Sequence, residues 1–146
     1  MHHMALEHRR DSVIVLLRTL AQALRVRLDE ALAPVGHTLA QQAVMVSLLR
    51  TPQATNAELA RAAFVAPQSM AEILQSLERT GFVRRAPAPD NARQLRTTLT
   101  PAGERAVANA GAELAQVEAK LTSGLDATER RQLVSLLQRA LASIGE

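Results

Sequence analysis

Pro67-Gln68-Ser69-Met70-Ala71-Glu72-Ile73-Leu74-Gln75-Ser76-Leu77-Glu78-Arg79-Thr80-Gly81-Phe82-Val83-Arg84-Arg85-Ala86 changes its hydrophobic period partway along. Met70, Ile73, Leu74 and Leu77 recur at helical spacing and predict a buried helix face. Pro67 suits the first helical position, where its missing N–H has no partner to lose. Gly81 takes the left-handed backbone that stops a helix. Phe82 to Ala86 then reads as a short strand. Pro87, Pro89, Asp90 and Asn91 form a loop that cannot pair regularly. Leu95-Arg96-Thr97-Thr98-Leu99 alternates and is rich in threonine, which predicts a second strand.

Upstream, Phe64-Val65-Ala66 forms a turn after a short helix that holds Leu59 and Ala60 and is expected to be capped by Asn56. Before it, Thr38 is placed to cap a helix over Leu39 to Arg50, with Val44, Leu48 and Leu49 inward and Pro52 as its breaker. Between Ala5 and about Ala33, Val13, Leu16, Leu17, Leu20, Leu24, Leu28 and Leu32 form one apolar stripe, ended by Pro34 and Gly36. Downstream, Thr100 and Pro101 open a helix running to about Ser123, with Val107, Leu114, Val117 and Leu121 on its apolar side. Gly124 interrupts, and Asp126 caps a last helix carrying Leu133, Leu136, Leu137, Leu141 and Ile144.

This order predicts a mainly α fold with a small β-hairpin wing. A winged helix-turn-helix lobe spans 38–99, and long helices flank it at 5–33 and 101–145, all within a single domain, 1–146. The outer helices carry more apolar surface than one small lobe can cover. Leu16, Leu20, Leu24 and Leu28, with Leu133, Leu137 and Leu141, therefore predict an interface with a second copy, because large exposed apolar patches are rare in monomers.

The chain has 146 residues, 47% hydrophobic and 21% charged. That composition folds, and that length suits one domain. Phe64 and Phe82 are its only aromatic residues, and both are expected in the core. The absence of cysteine excludes disulfides, cysteine nucleophiles and thiolate zinc sites. Three of the four histidines, His2, His3 and His8, lie at the amino terminus. His37 stands alone before the second helix with no carboxylate at ligand spacing, so it reads as a surface or pocket-rim residue and no metal site is expected. The glycines are scattered and form no phosphate-binding loop, and no serine has a visible base. Catalysis and a cofactor are therefore not expected. Without an apolar run long enough to span a bilayer or a signal-peptide core, the expected location is cytoplasmic.

The formal net charge is +3, but its placement is uneven. Between positions 79 and 96, Arg79, Arg84, Arg85, Arg93 and Arg96 face one acid, Asp90, a local excess of four. Lys120 is the only lysine, and arginine forks suit phosphates and guanine edges. A recognition helix needs one face to pack and another to meet base edges in the major groove. On the helix from Pro67, the outer face holds Gln68, Ser69, Ala71, Glu72, Gln75 and Ser76. Gln68 suits adenine, Ser69 a phosphate or base, and Glu72 cytosine N4. Arg93, in the loop between the strands, and Arg96, at the start of the second, suit a narrow minor groove. The candidate contacts to double-stranded DNA are thus Gln68, Ser69, Glu72, Gln75, Arg79, Arg84, Arg85, Asn91, Arg93 and Arg96. A solvated hairpin on a helical interaction protein is the competing reading, and a protein or RNA partner for the same fold is a third.

Five pieces in order resemble the MarR family of regulators: Asn56-Ala57-Glu58-Leu59-Ala60, Val65-Ala66-Pro67-Gln68-Ser69-Met70, Leu77 through Arg85, Asp90-Asn91-Ala92-Arg93, and Leu99-Thr100-Pro101-Ala102-Gly103. The resemblance covers nearly the whole chain. It implies a triangular homodimer on a pseudo-palindromic operator and, in many members, release of DNA by a small ligand bound between dimerisation helices and winged lobe. Here that pocket would lie near His37, Thr38 and Gln41. Two departures stand out. Asn91 takes the place of the wing aspartate, which puts the Asp–Arg brace of the wing in doubt, although Asn91 can accept one hydrogen bond from Arg93. Ala66 takes the place of the hydroxyl cap of the recognition helix.

Overall fold

The computed structural model describes residues 12–145. The expected helical residues 5–11 lie outside that range. Helix α1, Val13–Leu32, starts on Ser12, whose Oγ accepts from the Val15 amide. A short 3-10 turn over Ala33–Val35 follows, and Gly36 closes it at φ 83°. Helix α2, Leu39–Arg50, begins in a capping box: Thr38 Oγ1 accepts from the Gln41 amide and Gln41 Oε1 accepts from the Thr38 amide. Helix α3 spans Asn56–Ala62. Its cap is Thr55 and not Asn56. Thr55 holds the extended backbone a cap needs, and its Oγ1 accepts from the Glu58 amide at 3.2 Å, which leaves Asn56 inside the first turn.

Helix α4, Pro67–Arg79, starts from Ala66 with no side-chain cap and ends before Gly81, at φ 79°. Strands β1, Val83–Pro87, and β2, Leu95–Leu99, pair antiparallel, with Val83 opposite Leu99 and Pro87 opposite Leu95. Pro87 thus closes the strand rather than opening the loop, and a two-stranded edge tolerates a residue without an N–H. Helix α5 spans Pro101–Leu121 on a Thr100 cap. Helix α6 spans Ala127–Ile144 on an Asp126–Glu129 capping box.

The core sits in the winged lobe, where Val44, Met45 and Leu48 of α2, Leu59 of α3, Met70, Leu74 and Leu77 of α4, and Val83 of β1 are buried together. Two expected core residues are outside it. Leu49 is 48% exposed, because it follows Leu48 by one helical step and the inward place is already filled. Phe64 is 90% exposed. In the turn, the Val65 amide reaches back to the Ala60 carbonyl, and Val65, not Phe64, packs against the core.

Helix α5 is bound tightly to the base of the wing. Thr100 Oγ1 donates to the Gly81 carbonyl at 2.6 Å and accepts from the Gly103 amide at 3.1 Å. A Cβ at Gly103 would collide with the Phe82 carbonyl and with the Leu99 side chain. The glycine is required by this close approach, since Gly103 lies inside the helix and not at a turn.

The helical arms contrast with the lobe. Leu16 and Leu20 are 55% and 45% exposed, while Leu24 and Leu28 are half-buried where α1 packs along α5. Helix α6 buries none of its residues, and Leu137 and Leu141 remain 45% and 60% exposed. Among the described residues, no helix is long and apolar enough to cross a membrane.

Candidate nucleic-acid interface

The packing of α4 decides which of its side chains are available. Met70, Leu74 and Leu77 point into the lobe, and Gln68, Ser69, Ala71, Glu72, Gln75 and Arg79 remain exposed. Ser76 departs from the expected outer face. It is half-buried, and its Oγ accepts from Gln41 Nε2 at 3.0 Å. That bond links the start of α2 to the last turns of α4 across 35 positions of sequence, beyond the reach of any local pattern.

The hairpin sorts its arginines by alternation. Arg84 is exposed, opposite Thr98. Arg85 lies opposite Thr97, which is wholly buried; Arg85 Nε and Thr97 Oγ1 are both enclosed with no partner among the described residues. The strand therefore turns Arg85 toward the lobe, away from the face of Arg84. Period two in the sequence already contained that signal. Arg96 is half-buried and donates from Nη1 to the Gln53 carbonyl at 3.3 Å, which ties β2 to the loop between α2 and α3.

At the tip, Asn91 Oδ1 accepts from the Arg93 backbone amide at 3.1 Å. Asn91 thus shapes the turn through the main chain and leaves the Arg93 guanidinium unbraced. Arg93 is exposed, and neither of the two ion pairs among the described residues, Arg27–Glu30 and Arg130–Glu118, involves a wing arginine. The tip thus presents an unneutralised cation on the same lobe as the polar face of α4.

The pocket side holds a polar relay. His37 is buried, at 7% exposure, rather than on the surface, and it lines a cavity. Its Nε2 lies 2.7 Å from Gln42 Oε1, and Gln42 Nε2 donates to the Val107 carbonyl of α5. Only the NH2 end of Gln42 can donate to that carbonyl, so its oxygen must face the imidazole. In the neutral ring, the proton then sits on Nε2 and Nδ1 is a bare acceptor. Nδ1 is enclosed and has no partner among the described residues. The Phe82 ring meets His37 edge-on at 6.0 Å. An open cavity of about 520 Å³ borders this relay, lined by Asp29, Leu32, Ala33, Gly36, His37, Thr38 and Gln41. His37, Thr38 and Gln41 line this cavity, and Gln42, one helical step from the capping residue Gln41 and without a signal in the sequence, joins His37 in the relay. A second cavity, about 510 Å³, lies between α1 and α5 around Leu20, Leu24, Val117 and Leu121. Among the described residues, no group of acidic or histidine side chains is arranged to hold a metal.

A helix-turn-helix whose second helix shows a polar face, followed by a hairpin with an arginine at its tip, defines the winged helix-turn-helix class of DNA-binding proteins. Comparison with known proteins narrows the class. The MarR family model matches residues 37–95. The HTH-type transcriptional repressor Rv2887 of Mycobacterium tuberculosis is 33% identical over 124 residues, which span 85% of this chain and 89% of that protein. A crystal structure of the Mycobacterium tuberculosis MarR family protein Rv2887 with salicylic acid has a TM-score of 0.73 at 32% identity, covering 88% of this chain and 96% of that one. A mutant MarR from Escherichia coli complexed with operator DNA has a TM-score of 0.78 at 28% identity, covering 86% and 91%. The chain belongs to the MarR family of transcriptional regulators.

Proposed function

We propose that the chain acts in the cytoplasm, without catalysis, as a homodimeric repressor or activator that binds a pseudo-palindromic operator and is released by a small effector. The observation that carries this reading is the pairing, on one lobe, of the exposed polar face of α4 with the unneutralised Arg93 at the wing tip. Gln68, Ser69, Glu72 and Gln75 read the major groove. Arg79 and Arg84 meet phosphates, and Arg93 enters the minor groove with Asn91 holding its turn. Arg85 and Arg96 lie beside these contacts, and Arg96 also ties the hairpin to the lobe through the Gln53 carbonyl. A two-fold dimer sets equivalent helices about one turn of duplex apart, roughly 34 Å.

The arms supply the second copy. Leu16, Leu20, Leu24 and Leu28 of α1, with Leu133, Leu137 and Leu141 of α6, form the interface. The effector enters beside His37, Thr38 and Gln41. The salicylic acid bound by the Mycobacterium tuberculosis relative makes salicylate the first compound to try.

The test is operator binding as a function of salt, on a duplex selected from fragments of the source genome. With roughly eight phosphates contacted, log affinity falls against log salt with a slope of about −7. Arg93→Ala is expected to weaken binding by about 1 to 3 kcal/mol and to flatten the slope by about one unit. Its melting temperature stays that of the parent, and Arg18→Ala on α1 leaves binding unchanged. Equal affinity for every duplex, or an Arg93→Ala variant that binds like Arg18→Ala, overturns the assignment.

A further inference from the structure

Phe64 is more exposed, at 90%, than any other large apolar side chain among the described residues. It also stands at φ 54°, a left-handed backbone that a bulky L side chain rarely adopts. Four described residues have positive φ; two are Gly36 and Gly81, and Gln53 and Phe64 are the exceptions. At Phe64 the chain thus carries two penalties at once: a large apolar ring in water and a strained backbone. Glycine would remove both and keep the turn, whose hydrogen bonds, Phe64 amide to the Arg61 carbonyl and Val65 amide to the Ala60 carbonyl, are made by the main chain alone. Strain of this kind persists where something other than folding selects it.

We propose that Phe64 contacts DNA directly, its ring resting on the apolar edge of the duplex, deoxyribose carbons and thymine methyl groups, beside the groove that receives α4. This rests on the DNA-binding reading above. Phe64 lies on the turn that enters α4, three residues before Pro67, and is exposed, as are Gln68 and Ser69 in the first turn of that helix. The other large apolar side chains more than half exposed all lie on α1 and α6, while Leu49 and Leu95 on the lobe reach only 48% and 46%, and Phe64 belongs to neither arm. A partner chain covering the arms therefore does not account for it. Phenyl rings make apolar contact with thymine methyl groups, and such a contact releases no counterions. Phe64 thus adds affinity that salt does not screen, and it favours thymine at the position it reaches.

Phe64→Gly tests this with effects of opposite sign. Melting rises by a few degrees as the left-handed strain is relieved, while operator affinity falls about tenfold. The salt slope stays that of the parent, unlike the flatter slope of Arg93→Ala. Phe64→Asn, which also tolerates the left-handed backbone, behaves the same way. A Phe64→Gly protein that binds the operator as tightly as the parent overturns the proposal. So does one that loses stability and affinity together, which makes the ring structural, or one whose sedimentation alone changes, which makes it a contact between copies. A parent that binds no duplex sinks both readings; a parent that binds alongside an equally tight Phe64→Gly sinks this one only.

Discussion

The winged lobe and the helical arms are built from the same alanine- and leucine-rich alphabet, yet they meet their apolar needs differently. In the lobe, Leu59, Leu74 and Leu77 are at most 1% exposed and touch partners from the same chain. In the arms, Leu16, Leu20, Leu137 and Leu141 are between 45% and 60% exposed. Helix propensity forms both kinds of helix, but only burial makes them stable in water. The lobe therefore covers its apolar residues within one chain, with the start of α5 included, whereas the outer parts of the arms do not.

Three substitutions can break or sharpen that contrast. Leu74→Ala removes a fully buried side chain from the lobe and is expected to cost about 2 to 5 kcal/mol. Chemical denaturation followed at several protein concentrations should give the same loss at each, since the cavity lies within one chain. Leu137→Ala on α6 is expected to cost less, about 1 to 3 kcal/mol, because the side chain is 45% exposed in the single chain and, on the proposed interface, the rest of its burial comes from the second copy. Here the loss appears in the dimer dissociation constant, measured by sedimentation equilibrium, and a denaturation midpoint that stays independent of dilution would contradict the contrast. Ser76→Ala is the smallest change. Breaking its bond to Gln41 should cost roughly 0.5 to 1.5 kcal/mol in the lobe and leave dimer dissociation untouched. A thermal melt and a sedimentation run on the same sample decide it; a shifted dissociation constant would show that lobe and arms are not separate.

The features legible in the sequence were those decided within a few residues. Thr38, Thr100 and Asp126 cap their helices as expected, and Pro67 and Gly81 bound α4. The threonine-rich alternation of β2 and the apolar stripe of α6 were also readable, because each element repeats its own period. Thr55 and Asn56 were not separable, since both residue types cap and only the backbone angles choose. Phe64 was misplaced because hydrophobicity points inward and carries no information about φ. The His37–Gln42–Val107 relay and the Gln41–Ser76 bond join residues from different elements, so no spacing foretells them. The wing arginines were identified as a group, but alternation along the strand, which divides Arg84 from Arg85, was available and decides which of them is free.

The contact at Gly103 makes α5 a lever. The helix is seated against the Phe82 carbonyl near its first turn, and from there it runs along α1 into the arms. At 1.5 Å per residue, the stretch from Gly103 to Leu121 is about 27 Å long, so a tilt of about five degrees at the seat moves the far end by roughly 2 Å. With a carbonyl as the bearing and no Cβ between, there is little slack at the fulcrum. Within one chain, the base of the wing therefore sets the direction in which α5 leaves the lobe.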